Sequence, residues 1–149
     1  MNKPSDPSSS IGIVMQEVTR LMRREFVRRA AAEGLTQAQW LALAYISRNE
    51  GTNQVALAEI LDIRPITLAR LVDKLEENGL VERRKDPMDR RAFRLYLTPA
   101  AQPVIEKIWQ YSGQTRELAM AGLDASARAV LLQTLLTMKQ NLLAHARSV

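Results

Sequence analysis

Apolar residues recur at intervals of three and four along most of the chain, which is the spacing of one face of an α-helix. A first helix is predicted over residues 11–33, because Gly34 suits the left-handed conformation that often ends a helix. Thr36 and Gln39 have the spacing of a capping box and predict the start of a second helix, which Gly51 ends.

The segment that follows predicts two helices joined by a tight turn. Thr52 or Asn53 can cap a short third helix, and residues 62–64 form the connection. Pro65 opens a fourth helix, since proline lacks an N–H that would be unbonded at this position anyway. The fourth helix is apolar on one side and is stopped by Asn78-Gly79. The residues of this apolar side are Leu68, Leu71, Val72 and Leu75.

The pattern changes after the fourth helix. Residues 80–85 and 93–97 flank a polar turn and predict the two strands of a β-hairpin. No other part of the sequence indicates a strand. Thr98 and Pro99 are suited to cap and open a fifth helix, whose start Pro103 is expected to kink or tighten.

Asp124 can cap a sixth helix whose apolar residues cover a wide arc. They are Leu131, Leu132, Leu135, Leu136, Met138, Leu142 and Leu143. One neighbouring helix could not cover such an arc, so a second copy of the chain is expected to cover the remainder and form a homodimer. The alternative is a monomer in which this helix is central.

The chain has 149 residues, 46% of them hydrophobic and 25% charged, which is ordinary for one globular domain. Its 21 Lys and Arg exceed its 16 Asp and Glu, so polyanions such as nucleic acid or anionic lipid are the first partners to consider. Cysteine is absent, which excludes disulfide, thiolate-metal and thiol-nucleophile chemistry.

Residues 1–10 are rich in Pro and Ser and are predicted to be a flexible N-terminus. No stretch resembles a signal peptide or a membrane span, so we expect a cytoplasmic protein with no membrane partner.

Little in the sequence supports an enzyme. His145 is the only histidine and lies near the end of the sequence, where a surface side chain is expected. The six glycines form neither a dinucleotide-binding motif nor a phosphate-binding loop, and no His, Asp and Glu residues have metal-ligand spacing. We therefore predict no catalytic residue, no metal and no cofactor.

The second to fourth helices and the hairpin have the order of a winged helix-turn-helix, in which the helix after the tight turn enters the major groove. With these elements in this order, the sequence resembles the MarR family of bacterial transcriptional regulators. The segments that carry the resemblance are Leu57–Leu61, Pro65–Val81, Asp86–Arg91 and Leu95–Thr98. Pro103 and the long C-terminal helices are most similar to the SlyA branch. The resemblance is close from about Leu35 to Pro103 and rests on pattern alone in the flanking helices.

The resemblance implies a fold that is mainly α with a small β-hairpin wing: a dimeric winged helix-turn-helix of six helices. Residues 11–149 would form a single domain, with a reading head over about 36–98 and dimerisation helices over about 11–33 and 99–147. The homodimer would bind a pseudo-palindromic operator in double-stranded DNA as a sequence-specific regulator, with repression expected. The alternative is a winged helix that serves protein interaction, or binds nucleic acid without sequence preference and without responding to an effector.

The side of the fourth helix opposite the leucines is predicted to contact the major groove. Its residues, with those of the helix tip, are Arg64, Pro65, Ile66, Thr67, Arg70 and Lys74. Arg70 can bind guanine through two hydrogen bonds, and Ile66 can contact a thymine methyl. The Thr67 hydroxyl can bond to either donor or acceptor groups on the base edges. The alternative is a solvated helix face, which the three acidic residues later in the helix favour because acid near phosphate is unfavourable.

Residues 82–94 hold six basic and three acidic residues and are predicted to project as a wing. The resemblance assigns Asp89 as a brace of the hairpin and Arg91 as the side chain that enters the minor groove, with Arg90 as the competing candidate. The alternative is an ion network that only stiffens the turn. The residues that could bind phosphates without sequence preference are Arg83 and Arg84.

A second basic cluster lies on the first helix. Its members are Arg20, Arg23, Arg24, Arg28 and Arg29, with Glu25 among them. The cluster is a solvated face in the simplest interpretation, and phosphate contact or anchoring of an acidic effector are the other options.

The resemblance also implies a small aromatic or lipophilic anion as a possible effector, bound between the dimer helices and the reading head. The aromatic residues placed to line such a pocket are Trp40, Tyr45, Trp109 and Tyr111. The alternative for each is ordinary core or interface packing.

Overall fold

The structure of the protein is a computed structural model that describes residues 10–147. The predicted flexible N-terminus lies outside the described residues, except for Ser10, which precedes the first helix. The chain divides into two compact units, one ending at Thr115 and the other beginning at Arg116. A single domain over 11–149 therefore stays a prediction.

The first two helices form where the sequence predicts them. Helix α1 spans Ile11–Ala30 and continues as a short 3-10 turn, after which Gly34 takes a left-handed φ of 72°. Helix α2 spans Gln37–Arg48 and begins with the predicted capping box. The Gln39 N–H donates to Thr36 Oγ1 at 3.3 Å, and the Thr36 N–H donates to Gln39 Oε1 at 2.7 Å. Two backbone donors that the helix leaves open are thereby satisfied.

Helices α3, Gln54–Ile60, and α4, Pro65–Glu77, form the helix-turn-helix pair. The Asn53 side chain caps α3 by accepting a hydrogen bond from the Val55 N–H at 2.7 Å. The turn between the helices contains Asp62 with a φ of 52°, a left-handed conformation that aspartate adopts more readily than most residues. The proline at the start of α4 then supplies the helical φ directly.

The predicted hairpin is present and is extended by a third strand. Strands β2, Val81–Lys85, and β3, Phe93–Leu97, pair antiparallel. Strand β1, Thr52–Asn53, pairs with the other edge of β3, so the order in the sheet is β1-β3-β2. The expectation of a two-stranded hairpin is therefore corrected. A strand of two residues is too short to show the alternation that predicts longer strands.

Gly51 leads into β1 and passes close to the sheet. Its N–H donates to the Leu95 carbonyl oxygen at 2.8 Å, and its φ is 78°. A Cβ at this position would lie 2.9 Å from the hydroxyl oxygen of Tyr96, so that side chain would have to shift, and the left-handed backbone conformation itself favours glycine.

The core of the first unit combines side chains of the helices and the sheet. The largest fully buried side chains are Leu43, Ile46, Leu57, Leu68, Val72, Leu75, Leu95 and Ile108. Three of the four residues predicted for the apolar side of α4 are among them, and Leu71 packs against the core while partly exposed. Burial of one such side chain stabilises the fold by about 1.5–3 kcal/mol, so these contacts determine how α4 is rotated about its axis.

Two long helices follow the wing. A 3-10 turn over Pro99–Ala101 precedes helix α5, Gln102–Ala119, which confirms the tightened start expected from Pro103. Helix α6 spans Ala125–Ala146, and the Asp124 side chain caps it by accepting from the Ala127 N–H at 2.8 Å. Among the described residues 10–147, no helix is long and apolar enough to cross a membrane.

Helix α6 contains no buried residue in the described chain. Seven of its large apolar side chains are between 37% and 71% exposed. These side chains are Val130, Leu131, Leu132, Leu135, Leu136, Leu142 and Leu143. A contiguous apolar surface of this kind marks an interaction site rather than an ordinary solvated helix.

Candidate nucleic-acid interface

The predicted major-groove residues lie on the exposed side of α4. Arg64 is the residue that precedes the helix, Pro65 and Ile66 occupy its first turn, and Ile66 is 60% exposed. Thr67 and Arg70 are exposed on the same side. Among residues 10–147, no side chain forms an ion pair or hydrogen bond with the guanidinium groups of Arg64 and Arg70. Both groups are therefore available to a phosphate or a base.

Lys74 continues this side of α4 but already has a partner. Its Nζ lies 2.6 Å from Glu77 Oε2, and this hydrogen bond raises the pKa of Lys74 above its ordinary value. Both side chains are about two-thirds exposed, so the pair is weak and a phosphate could compete for the ammonium group.

The turn of the wing is held by Asp86, a residue for which the sequence pattern indicated no separate role. Its Oδ1 accepts the Met88 N–H at 2.8 Å, and its Oδ2 accepts Arg94 Nε at 2.9 Å. These hydrogen bonds, the one from the Met88 N–H first, hold the pKa of the Asp86 carboxyl below its usual range. An aspartate just before a proline-containing turn is a recognised signal for such a side-chain contact to the backbone two residues on.

Asp89 organises the tip of the wing. Its side chain accepts the Arg91 N–H at 2.9 Å, and its carbonyl oxygen accepts the Ala92 N–H at 3.0 Å. The guanidinium groups of Arg90 and Arg91 are exposed and have no hydrogen-bond or ion-pair partner among the described residues. The tip therefore presents two unpaired arginines on a turn that two aspartates shape.

Arg83 is turned inward, in contrast to the outward position that phosphate binding requires. Its side chain is 17% exposed and forms ion pairs with Asp73 and Glu76 of α4. Its Nε also donates to Gln54 Oε1, and its Nη2 donates to the Ala69 carbonyl oxygen. All of these donors are used within the reading head, which argues against the predicted phosphate contact of Arg83.

Arg84 points to the opposite face of the hairpin. Its guanidinium carbon lies 4.1 Å from the centre of the Tyr96 ring, and the group also pairs with Glu82. The side chain remains 58% exposed. A cation on an aromatic face keeps one side open to solvent, so Arg84 is accessible to a phosphate.

The basic cluster of α1 separates into paired and unpaired arginines. Glu25 lies 2.6 Å from Arg28 Nη2 and 2.8 Å from Arg29 Nε, and the hydrogen bond with Arg28 lowers the pKa of Glu25. The remaining arginines have no such partner among residues 10–147. They are Arg20, Arg23 and Arg24.

An apolar cavity of about 210 Å³ lies in the first unit, where α1, α2 and α5 meet. Its lining includes Arg23, Phe26, Trp40, Leu41, Ile108 and Thr115. Thr115 is 5% exposed, and its Oγ1 has no hydrogen-bond partner in the described structure. A buried hydroxyl without a partner is unfavourable unless a ligand or water bonds to it.

The four aromatic residues predicted for an effector pocket lie in different surroundings. Trp40 lines the cavity, with its ring 5.7 Å from that of Phe26. Tyr111 packs edge-on against Trp40 and donates its hydroxyl to Glu33 at 2.8 Å. The other two do not line the cavity: Tyr45 packs against the core, and Trp109 is 43% exposed beside the Arg48 guanidinium.

No group of three or more His, Cys, Asp or Glu side chains within residues 10–147 is arranged to hold a metal ion. Four exposed arginines without an acidic partner among the described residues lie instead at the start and on the outer side of the second helix of a helix-turn-helix and on the tip of the adjoining hairpin. This arrangement defines a DNA-binding protein of the winged helix-turn-helix class.

Comparison with known proteins gives the family. The model of the MarR family matches residues 35–93. A solved MarR-family transcriptional regulator from Silicibacter pomeroyi is 30% identical, with a TM-score of 0.76 and 86% of each chain covered. Another solved transcriptional regulator is 36% identical, with a TM-score of 0.80, over 89% of this chain and 98% of that chain. The chain therefore belongs to the MarR family of transcriptional regulators.

Family membership confirms the predicted fold class, since the six α-helices and the small wing of the described residues are those of a MarR winged helix. Proteins of this family bind DNA, function as dimers and are regulators rather than enzymes. The solved regulator SlyA is 25% identical, with a TM-score of 0.78, over 90% of this chain and 94% of that chain. The SlyA branch stays a prediction, because other family members match equally well.

The two aspartates of the wing are expected to act on different amides. Asp86→Ala removes the acceptor of the Met88 N–H and should speed its hydrogen exchange severalfold. Asp89→Ala should affect only the Arg91 amide, because the Ala92 N–H bonds to the Asp89 backbone carbonyl, which the substitution keeps. Because the pKa of Asp86 is lowered in the folded state, its carboxylate stabilises the turn fully above the pKa of the unfolded chain. This contribution is lost as the pH falls through the lower folded-state pKa. An Asp89→Ala protein whose whole hairpin exchanges faster, with Asp86→Ala unchanged, would identify Asp89 as the brace instead.

Proposed function

We propose that this protein is a homodimeric transcriptional repressor that binds a pseudo-palindromic operator in double-stranded DNA and is released by a small aromatic or otherwise lipophilic anion. The observation that carries the proposal is the set of unpaired, exposed arginines on two neighbouring elements. Arg64 immediately precedes α4, Arg70 lies on that helix, and Arg90 and Arg91 lie on the wing tip. A dimer on a promoter operator occupies DNA that the polymerase needs, which makes repression the simplest outcome.

Helix α4 supplies the sequence readout. Its apolar side is buried, so Thr67 and Arg70 point away from the protein together. Arg70 can bind O6 and N7 of one guanine through two hydrogen bonds, and Ile66 can contact a thymine methyl. Arg64, at the tip, is placed for phosphate contact and so for fixing the position of the helix along the groove.

The wing supplies a contact of a different kind. Arg91 sits on a backbone turn that Asp89 shapes, and its exposed guanidinium suits the narrow, electronegative minor groove of A·T-rich DNA. Arg90 is the competing side chain, and Arg84 is accessible for a phosphate. An arginine in the minor groove reads groove width and therefore adds affinity without a strict base code.

Dimerisation is supported by the apolar surface of α6 and by a similar surface on α1. The exposed large apolar residues of α1 are Ile11, Ile13, Val14, Met15, Val18, Leu21 and Val27. A second copy of the chain would remove both surfaces from water. A two-fold dimer presents two identical reading heads, which is why the operator is expected to be a palindrome.

An effector site is supported by the cavity beside Trp40. A cavity of about 150 Å³ is large enough for benzene, so 210 Å³ accommodates one ring with small substituents. The Thr115 hydroxyl can bond to an acid group of the ligand, and the Arg23 guanidinium can balance its charge. Edge-on packing against Phe26 and Trp40 suits an aromatic ring.

Selection of bound sequences from random duplex DNA should recover a palindrome. On that operator, Arg70→Ala is expected to cost about 1–3 kcal/mol and to relax the preference at one position of each half-site. Arg91→Ala should also weaken binding, but the loss should depend on the A·T content of the flanking minor groove and leave the central preferences unchanged. If no sequence is enriched, or if unrelated RNA binds as tightly as the duplex, the protein is a non-specific nucleic-acid-binding module.

The dimer is tested by sedimentation at micromolar concentration. The expected mass is about twice 16.8 kDa. Replacing two exposed apolar residues of α6, Leu135 and Leu142, by Gln should shift the equilibrium toward monomer and weaken operator binding. A parent protein that is monomeric and still binds the palindrome with full affinity would contradict the proposed assembly.

The effector site is tested with benzoate as the probe. Benzoate is expected to weaken operator binding by the parent protein, and Arg23→Ala and Thr115→Val should each reduce this response. Arg20→Ala is the matched control, because Arg20 belongs to the same basic cluster but does not line the cavity. Equal effects of Arg20→Ala and Arg23→Ala would show that benzoate responds only to the overall positive charge of α1.

A further inference from the structure

Arg83 joins three elements of the reading head through one guanidinium group. From its place on β2, Nε donates to Gln54 Oε1 of α3 at 3.0 Å, and Nη2 donates to the Ala69 carbonyl oxygen of α4 at 3.1 Å. Nη1 pairs with Asp73 Oδ1 at 2.8 Å and with the Glu76 carboxylate. The Arg83 N–H also donates to Glu76 Oε1 at 2.9 Å, so Glu76 holds both the side chain and the backbone of β2.

The partners of Arg83 on α4 form a stripe of their own. Ala69, Asp73 and Glu76 are spaced by four and three residues and therefore lie along one side of the helix. This side differs from the buried leucines and from the side that presents Thr67 and Arg70. The acids thus face the wing strand, where an arginine neutralises them, and not the DNA.

This contact also accounts for the acids on a DNA-binding helix. Two carboxylates near phosphates would be repulsive if they were unpaired. Asp73 is 56% exposed and Glu76 is 33% exposed, but both point their oxygen atoms at Arg83. Only arginine offers a planar group with donors in three directions, so lysine could not satisfy the same partners.

We propose that Arg83 is a positioning residue that fixes the wing relative to α4, so that the major-groove and minor-groove contacts of one reading head act as a rigid pair. This proposal rests on the proposed DNA-binding function. A wing held in place engages the minor groove without a further loss of conformational freedom once α4 is bound. Arg83 therefore contributes to DNA affinity without touching DNA.

Removal of the Glu76 charge changes DNA affinity in opposite directions under the positioning role and under simple electrostatics. Glu76→Gln removes a negative charge from the reading head, which simple electrostatics predicts to strengthen DNA binding. If Arg83 positions the wing, the substitution instead removes one of its partners, and DNA affinity should fall about tenfold. Glu77→Gln is the matched control, because Glu77 is on the same helix and carries the same charge but does not contact Arg83. Glu77→Gln should bind no more weakly than the parent.

A double-mutant cycle with the wing tip gives a second readout. If Arg83 acts through the wing, Arg83→Met should weaken binding in the parent but have little further effect in an Arg91→Ala protein. If Arg83 binds a phosphate directly, the two losses should add. Arg83→Lys should behave like Arg83→Met rather than like the parent, because an ammonium group keeps the charge but not the fork geometry.

Hydrogen exchange on the DNA-free protein makes the test independent of the operator. Arg83→Met and Glu76→Gln should speed exchange of the β2 and β3 amides while the amides of α2 keep their protection. Stronger binding by both Glu76→Gln and Glu77→Gln, additive losses with Arg91→Ala, or unchanged exchange in the hairpin would each overturn the proposal. Failure of the parent protein to select an operator would instead refute the proposed function, and the exchange experiment would still decide the role of Arg83.

Discussion

The orientation of α4 depends on the burial of one side of that helix, and the rest of the reading head depends on α4. Leu68, Val72 and Leu75 are fully buried, so the helix cannot rotate about its axis without exposing them to water. The opposite side then carries Thr67 and Arg70 outward, and the side between them carries Asp73 and Glu76 toward β2. Burial of the apolar side therefore determines both which side of α4 faces outward and which side contacts β2.

Apart from Arg84, which pairs with Glu82 yet stays exposed, the arginines of the wing and of the α4 region fall into two groups according to their partners. Arg83 and Arg94 are bound to carboxylates within the protein, at Asp73, Glu76 and Asp86. The arginines of the helix tip and the wing tip have no acidic partner among the described residues. The paired group shapes the scaffold, and the unpaired group is left for a polyanion. Net charge and local charge counts cannot make this distinction, since both groups contribute equally to them.

The same separation holds for apolar surface. The residues around α2 and α4 are enclosed, whereas no described residue of α6 is buried and much of α1 is exposed. Association with a partner would remove the apolar surface of these two long helices from water. Because proteins of this family function as dimers, a second copy of the chain is the natural partner.

Local structure was determined by the sequence alone to a large extent. Helix starts depend on residues within a few positions of each other, as at the capping box of Thr36, the proline that opens α4 and the cap at Asp124. The spacing of leucines along a helix likewise indicates directly which side is buried. The order of these elements indicated the winged helix-turn-helix class, and the residues of α3, α4 and the wing carried the resemblance to the family. The two-residue strand β1 was not predicted, because it forms only through its pairing with β3, which is distant in the sequence.

Only the tertiary structure decided which polar side chains are available to DNA. Arg83 and Arg84 are adjacent in the sequence and equally basic, yet alternation along β2 turns one inward and the other outward. The inward partner Gln54 is 29 positions away, and such a separation leaves no periodic trace in the sequence. For the same reason the buried Thr115 hydroxyl and its cavity could not be predicted: burial is set by the packing of α1, α2 and α5, which local patterns do not encode.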